Sequence, residues 1–487
     1  MAIATRNVLE KKVLIGGEWV ESESGERFEV RSPGDGSLVG TLPRCTEKDV
    51  QNAIDAAKEG QKALARLSVK RRAEMLHRAS AIAERRAEED AIVLCREVGK
   101  TIREARDEIA TYCNPHYVEA GEGIKRLRGL INPSTQEDSS DKRILITHEP
   151  VGVVGVISPW NWPADIPNIT ASHALAAGNA VILKPASTTP YSAIAVAEIY
   201  EEAGFPPGSI SVITGPGTTV GAELVRNPGT NAIGFTGEVE TGEYITSIAG
   251  IKRLLLELGG NGPLVVMDDA NLDAAVEATI TGCFYLAGQV CTASERILVH
   301  EAVHDEFVDK LLARTRRIKV GDPLDETTDM GPLNNAANAA KVQAHFDDAR
   351  ARGGKFLFGG GRDGLYFEPT IVDGVTSDFL MARHETFGPV APIMTFGSVD
   401  EAIEIANETM YGLQGAAFTS NLRTAFLLGE GIKCGTVLIN ETNNYWDQLA
   451  PFGGMKKSGL GRELSDWMFS EITEIKQISI DIAKVKE

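Results

Sequence analysis

No two of the six cysteines stand at C-x-x-C spacing, and the eight histidines form no H-E-x-x-H or H-x-H pattern. Irregular spacing along so long a chain argues against a disulfide framework and against thiolate or histidine metal sites, so no metal is expected. No apolar run approaches the ~18 residues of a membrane span. The most apolar stretch, 151–158, is broken by Pro159 and Asn161. The first twenty residues lack the pattern of a signal peptide. Basic residues are in deficit: 49 Lys+Arg against 68 Asp+Glu give a net charge of −19, with no basic patch. That balance excludes nucleic acid and anionic membrane surfaces as expected partners. Disorder is excluded too, because 43% of the 487 residues are hydrophobic and 24% charged. These absences leave a protein of a reducing compartment, expected in the cytoplasm, with length for about three domains.

What is present reads as an α/β protein. Residues 13–31 alternate like a small hairpin, and helical patterns cover about 47–65 and 68–97. Apolar runs at 151–157, 180–184, 210–213 and 231–235 alternate with helical stretches such as 190–204 and 217–226. Continuous apolar strands separated by helices are the pattern of a parallel, doubly wound sheet. A second such series follows Gly259-Gly260, with strands near 263–267, 295–299, 392–396 and 436–440. Alternating strands near 123–150 and at 474–483 belong to neither series and suggest an oligomerisation sheet.

Six short segments could carry chemistry, each ambiguous alone. Cys291 in Gly288-Gln289-Val290-Cys291-Thr292 sits among small and polar residues, open to a substrate, although most cysteines are core residues. Glu257, before Leu258-Gly259-Gly260, is a candidate base or a solvated turn residue. Asn161 in Pro159-Trp160-Asn161-Trp162-Pro163 follows a buried strand, where an amide can hold an oxyanion or bond its own loop. Lys184, before Pro185-Ala186-Ser187, ends another strand and can donate to ribose or phosphate. Gly215-Pro216-Gly217 with Gly221, and Phe235-Thr236-Gly237 with Gly242, each follow a strand and open a helix, the place for a pyrophosphate. Glu385-Thr386-Phe387-Gly388-Pro389-Val390 puts a carboxylate and a ring on a rigid turn.

Together and in this order, the six segments resemble the aldehyde dehydrogenase superfamily over nearly the whole chain, from Gly16-Gly17 to the 451–463 segment PFGGMKKSGLGRE and the terminal strand. The resemblance implies an aldehyde dehydrogenase-like α/β fold. A Rossmann-type cofactor domain (1–122 and 145–256) would adjoin an α/β catalytic domain (257–457) and a small β oligomerisation element (123–144 and 474–484). It implies a homodimer or homotetramer that oxidises a small-molecule aldehyde to the acid with NADP or NAD. Cys291 would be the nucleophile, Glu257 the general base, and Asn161 the oxyanion donor together with the Cys291 N–H. Lys184 would bind the adenosine ribose, and Glu385 and Phe387 would position the nicotinamide ribose and ring. The cofactor would also meet Trp160, Gly217, Gly221, Phe235, Thr236, Gly237, Gly242, Leu258 and Gly259. Glu257 favours water over coenzyme A as acyl acceptor, since the acylating members generally lack it.

Two positions depart from the family pattern. Ser187 stands where many NAD-preferring members carry a Glu that repels a 2′-phosphate, which tips the expectation toward NADP. Glu238 stands where many have Ser, and would repel a pyrophosphate unless turned to solvent. Trp162, Ile169, Val290, Thr292, Trp446 and Phe452 should line the substrate funnel, and their bulk suits an aliphatic or aromatic aldehyde. A semialdehyde bearing a carboxylate or phosphate is the alternative, with Arg103, Arg106 and Arg296 as candidate grips. Rival classes are a cofactor-independent thiol esterase using Cys291 and Glu257, and a non-catalytic binding protein on the same fold.

Overall fold

The computed structural model describes residues 7–484. Five strands, Val153–Ile157, Ala180–Lys184, Ile210–Val212, Ala232–Gly237 and Arg253–Leu258, run parallel in one sheet. In chain order they lie fifth, fourth, first, second, third across the sheet. The order reverses between Val153–Ile157 and Ala232–Gly237, and the crevice beyond their carboxyl ends is where such sheets take ligands. Each strand is short and apolar because helices cover both faces. Val153–Ile157 and Ala180–Lys184 are buried at every residue.

One edge of this sheet carries the antiparallel hairpin Val13–Ile15 and Glu18–Val20, joined through Leu14 to Val212. The expected hairpin over 13–31 is therefore only its first half. Arg27–Arg31 pairs instead with Leu38–Pro43 in a separate three-stranded sheet. The helices Glu47–Ala65 and Val69–Val98 stand where the periodicity places them, started by the side chains of Thr46 and Ser68.

A second sheet begins directly after Gly260. Its six parallel strands are Gly262–Val266, Ser294–His300, Thr370–Asp373, Val390–Phe396, Gln414–Phe418 and Thr436–Ile439. Gln414–Phe418 has no branched run to announce it, because Gly415 lies against Pro263 and Ile432, where little space remains. The polypeptide passes from one sheet to the other between Leu258 and Gly262, so the chain around Glu257 lies at the seam.

The third feature is an antiparallel sheet of Leu130–Asn132, Lys142–Pro150 and Thr473–Asp481. The middle strand runs to Pro150, beyond the boundary at 144 read from the sequence. Leu130, Ile131, Ile475, Ile478 and Ile480 of this sheet are exposed. No helix among the described residues is long and apolar enough to cross a membrane.

Candidate active site

Cys291 follows a turn built under strain. Leu286 and Ala287 adopt φ of +51° and +53°, and Gly288 follows at +72°. A Cβ at Gly288 would lie 2.1 Å from the Gly388 carbonyl, so glycine is required there on both counts. Buried Gln289 locks the turn: its Nε2 donates to Leu286 O at 3.0 Å, and its Oε1 accepts from Asn334 N at 2.9 Å. Glu104 adds a bond from Leu286 N at 2.7 Å. Of the six cysteines, all unpaired, Cys291 alone keeps partial exposure, although its thiol lies deep in the site. That separates it from the core cysteines, which its sequence context could not do.

Glu257 ends the edge strand of the parallel core, and Gly260 explains the two glycines behind it. A side chain at Gly260 would meet the Cys291 carbonyl at 2.1 Å, so the seam and the cysteine loop touch backbone to backbone. Neither oxygen of Glu257 has a hydrogen-bond partner among the described residues. Burial pushes its carboxyl well above the usual carboxylate range, and neighbouring Glu463 pushes it further. The Cys291 thiol is likewise raised, first by burial and then by Glu385 and Glu257.

Asn161 follows Val153–Ile157 and is buried. Its Nδ2 donates to the Gln289 carbonyl at 2.9 Å. One N–H is thereby fixed beside the cysteine loop, and the amide's second N–H has no partner among the described residues.

Two cavities share Cys291, Glu257, Thr236 and Ile166 in their walls. The smaller, about 170 Å³, is lined by Trp160, Asn161, Gly237, Leu258, Gly259, Glu385 and Phe387, among others. It opens at the strand-order reversal. Trp160 and Phe387 meet edge to face at 5.4 Å, and Phe387 is held at φ +56°. Glu385 accepts from Gly260 N at 2.8 Å, and burial raises its carboxyl to about 8. Lys184 is buried at the end of the neighbouring strand with its amine lowered to about 8 by burial, and Gly221 lies alongside it. Ser187 is exposed and donates to Gly215 O at 3.3 Å. Gly217 has open space around it, whereas Gly242 is filled by Leu258 and Gly237 by the Phe235 ring. Phe235 and Gly242 therefore support the cleft from behind. Glu238 is exposed, at the start of the helix Val239–Ile248 and at the cleft mouth. A nicotinamide dinucleotide fits this donor set: a strand-end amine, glycine-opened helix starts, and a carboxylate with a ring at the inner end.

The larger cavity, about 680 Å³, includes Trp162, Ile169, Trp446 and Phe452 in its wall, as the sequence led one to expect. Val290 and Thr292 do not line it. Flanking Cys291, both turn away: Val290 packs in the core, and buried Thr292 bonds Asn444 at 3.0 Å. The arginines are not in it either. Arg103 binds Thr328 O and Asp329, Arg106 binds Glu88 and Glu326, and Arg296 is buried against the carbonyls of Asn261, Ile405 and Ala406.

Sequence reasoning missed several participants. Tyr112 and Tyr285 wall the larger cavity, and Lys341 enters the smaller. Glu295 accepts from Thr386 N and Phe387 N, both at 2.7 Å, and so holds the Glu385–Phe387 turn. A charged residue inside an apolar strand was the available signal for Glu295; the tyrosines had none.

A model of the aldehyde dehydrogenase family matches residues 19–478. The chain is 38% identical to a glutarate-semialdehyde dehydrogenase of Pseudomonas putida, over 99% of this chain and 100% of that one. It is 37% identical to a succinate-semialdehyde dehydrogenase of Escherichia coli named for NADP+, again over 99% and 100%. A crystal structure of betaine aldehyde dehydrogenase from Staphylococcus aureus in complex with NAD+ superposes with a TM-score of 0.96 at 31% identity, covering 100% of this chain and 98% of that one. With the site already assembled around Cys291, these likenesses settle its family: the chain belongs to the aldehyde dehydrogenases, oxidoreductases that oxidise an aldehyde with NAD or NADP.

Proposed function

We propose that Cys291 is the nucleophile, Glu257 the base and Asn161 the oxyanion donor of an oxidation that releases a free carboxylic acid. The observation that carries this reading is that Cys291 and Glu257 stand in the shared wall of both cavities, one shaped for the aldehyde and one for the dinucleotide.

Both groups favour their neutral forms. A proton moving from the Cys291 thiol to the Glu257 carboxylate therefore relocates one buried charge rather than creating a second. The thiolate adds to the carbonyl carbon, and the new oxyanion is met by the free amide N–H of Asn161 and the Cys291 N–H. When bound, the nicotinamide supplies the hydride acceptor. Cys291 is then left as a thioester. Glu257 first passes the thiol's proton to solvent and then takes a proton from water, which attacks the thioester, frees the acid and releases the Cys291 thiolate. A carboxylate with a raised pKa is a better base near neutrality than an ordinary one.

For the cofactor we favour NADP over NAD. Ser187 places no carboxylate beside the ribose, and its hydroxyl can turn to a 2′-phosphate. The reaction is placed in the cytoplasm, in keeping with six free cysteines. The exposed apolar residues of the third sheet support its role in a homodimer or homotetramer. The first sheet would serve as the cofactor domain and the second as the catalytic domain. For the substrate, the missing arginines favour the reading without an anionic tail over a carboxylated or phosphorylated semialdehyde.

The test is the initial rate of absorbance increase at 340 nm with NAD or NADP. Cys291→Ser should cut it by about 10³-fold or more while leaving cofactor binding intact. Full activity in that variant would overturn the mechanism. Turnover of an activated ester without any nicotinamide, and no aldehyde oxidation, would favour the esterase.

A further inference from the structure

The larger cavity has a one-sided charge. Its wall holds six acidic side chains, Asp107, Glu119, Asp165, Glu257, Asp447 and Glu463, of which burial favours the neutral form of Glu257 and Glu463, and no lysine or arginine among the described residues. His116 also lines it, and is spent on Asp165 at 2.8 Å. The nearby cations are neutralised elsewhere. Lys100 is buried in an ion pair with Glu108, with its amine 4.4 Å from the Trp162 ring centroid. Arg103, Arg106 and Arg314, in the neighbouring surface cleft, pair with Asp329, Glu88 and Glu277 respectively.

Between the carboxylates lies a box of aromatic rings. Tyr112 stands 5.0 Å from Trp162 and 5.3 Å from Trp446, centroid to centroid. Trp162 and Trp446 are 5.2 Å apart, Tyr285 stacks at 6.1 Å from Trp162, and Phe452 meets Trp446 at 6.2 Å. Ring faces attract a cation through their quadrupoles, and the carboxylates add a long-range field of the same preference. An anionic tail would find like charge and no donor cation.

Resting on the dehydrogenase reading above, we propose that the substrate is a cationic aldehyde, one whose tail carries an amine or quaternary ammonium group. The aldehyde end reaches Cys291 and the charged end sits among the rings and the outer carboxylates Asp107, Glu119 and Asp447. Glu119 is half-buried, and Asp107 accepts a single hydrogen bond among the described residues, from the Tyr285 hydroxyl at 3.4 Å.

The test compares kcat/KM for 4-aminobutyraldehyde and betaine aldehyde, neutral butyraldehyde and benzaldehyde, and succinate semialdehyde, at low and high salt. The expected order is cationic above neutral above carboxylated, with at least tenfold between the extremes and the cationic advantage shrinking in salt. The double variant Asp107→Asn, Glu119→Gln should raise KM for the cationic substrates several-fold more than KM for butyraldehyde, and equal changes for both would overturn the proposal. Oxidation of butyraldehyde with no preference by charge, or a preference for succinate semialdehyde, would overturn this inference alone. No nicotinamide reduction with any aldehyde would instead sink the dehydrogenase reading beneath it.

Discussion

The two cavities that meet at Cys291 are built from different material. The smaller is lined mainly by segments at strand ends: the turn after Val153–Ile157, the ends of Ala232–Gly237 and Arg253–Leu258, and the turn through Phe387, with 335–341 beside them. Its charge is mixed, with Lys341 beside Glu238 and Glu385. The larger is made of residues from separate segments, around 107–119, 162–169, 442–452 and 463–464, and its charged side chains, His116 aside, are acids. Backbone at strand ends can be changed only by changing the fold. Side chains on a funnel can be exchanged one by one. On the proposed reading, the first wall would fix the reaction and the second would select what is oxidised.

This contrast can be broken in steps. Glu257→Gln should have the largest effect, on the order of 10²–10⁴ in kcat, because the base is removed. The wild-type rate should fall as pH drops through the raised pKa of Glu257, above the usual carboxylate range, since the base must be ionised. That limb should vanish in the variant, and a pH profile retaining it would assign it to another group. Asn161→Ala should cost about 10²–10³ in kcat by losing an oxyanion donor, with little change in cofactor affinity. An unchanged rate would show that the amide serves only the Gln289 loop. Ser187→Glu should have the smallest effect and act on cofactor affinity alone. NADP affinity should fall about tenfold by like-charge repulsion, while NAD affinity holds or improves. Equal losses for both cofactors, read by Kd, would mean that Ser187 is not beside the 2′ position.

Legibility in the sequence followed the same division. Strand-end motifs such as Glu257-Leu258-Gly259-Gly260 announce themselves because close backbone approach admits few residues. Gly260 against the Cys291 carbonyl is the clearest case. The funnel was read less well. Adjacency to Cys291 points to Val290 and Thr292, but the chain turns at Cys291–Thr292, with Ala293 N bonded to Val290 O, so that Val290 packs in the core and Thr292 bonds Asn444. Arg103 and Arg106 were open candidates until their partners Asp329, Glu88 and Glu326, more than two hundred positions away in two cases, came into view. The hairpin at 13–31 was overextended because alternation reports which face of a strand is buried and not which strand it pairs with.

The sequence by itself determined the two parallel sheets and the family, and it nominated the candidate reacting groups, since periodicity, turn glycines and motif order are local properties. Tertiary structure alone decided that Cys291 and Glu257 stand in the wall of both cavities, that Asn161 keeps one N–H free, and that the funnel holds acids and rings without a cation. Those facts depend on which distant side chains share a space, and charge balance within a cavity has no counterpart in the linear order of residues.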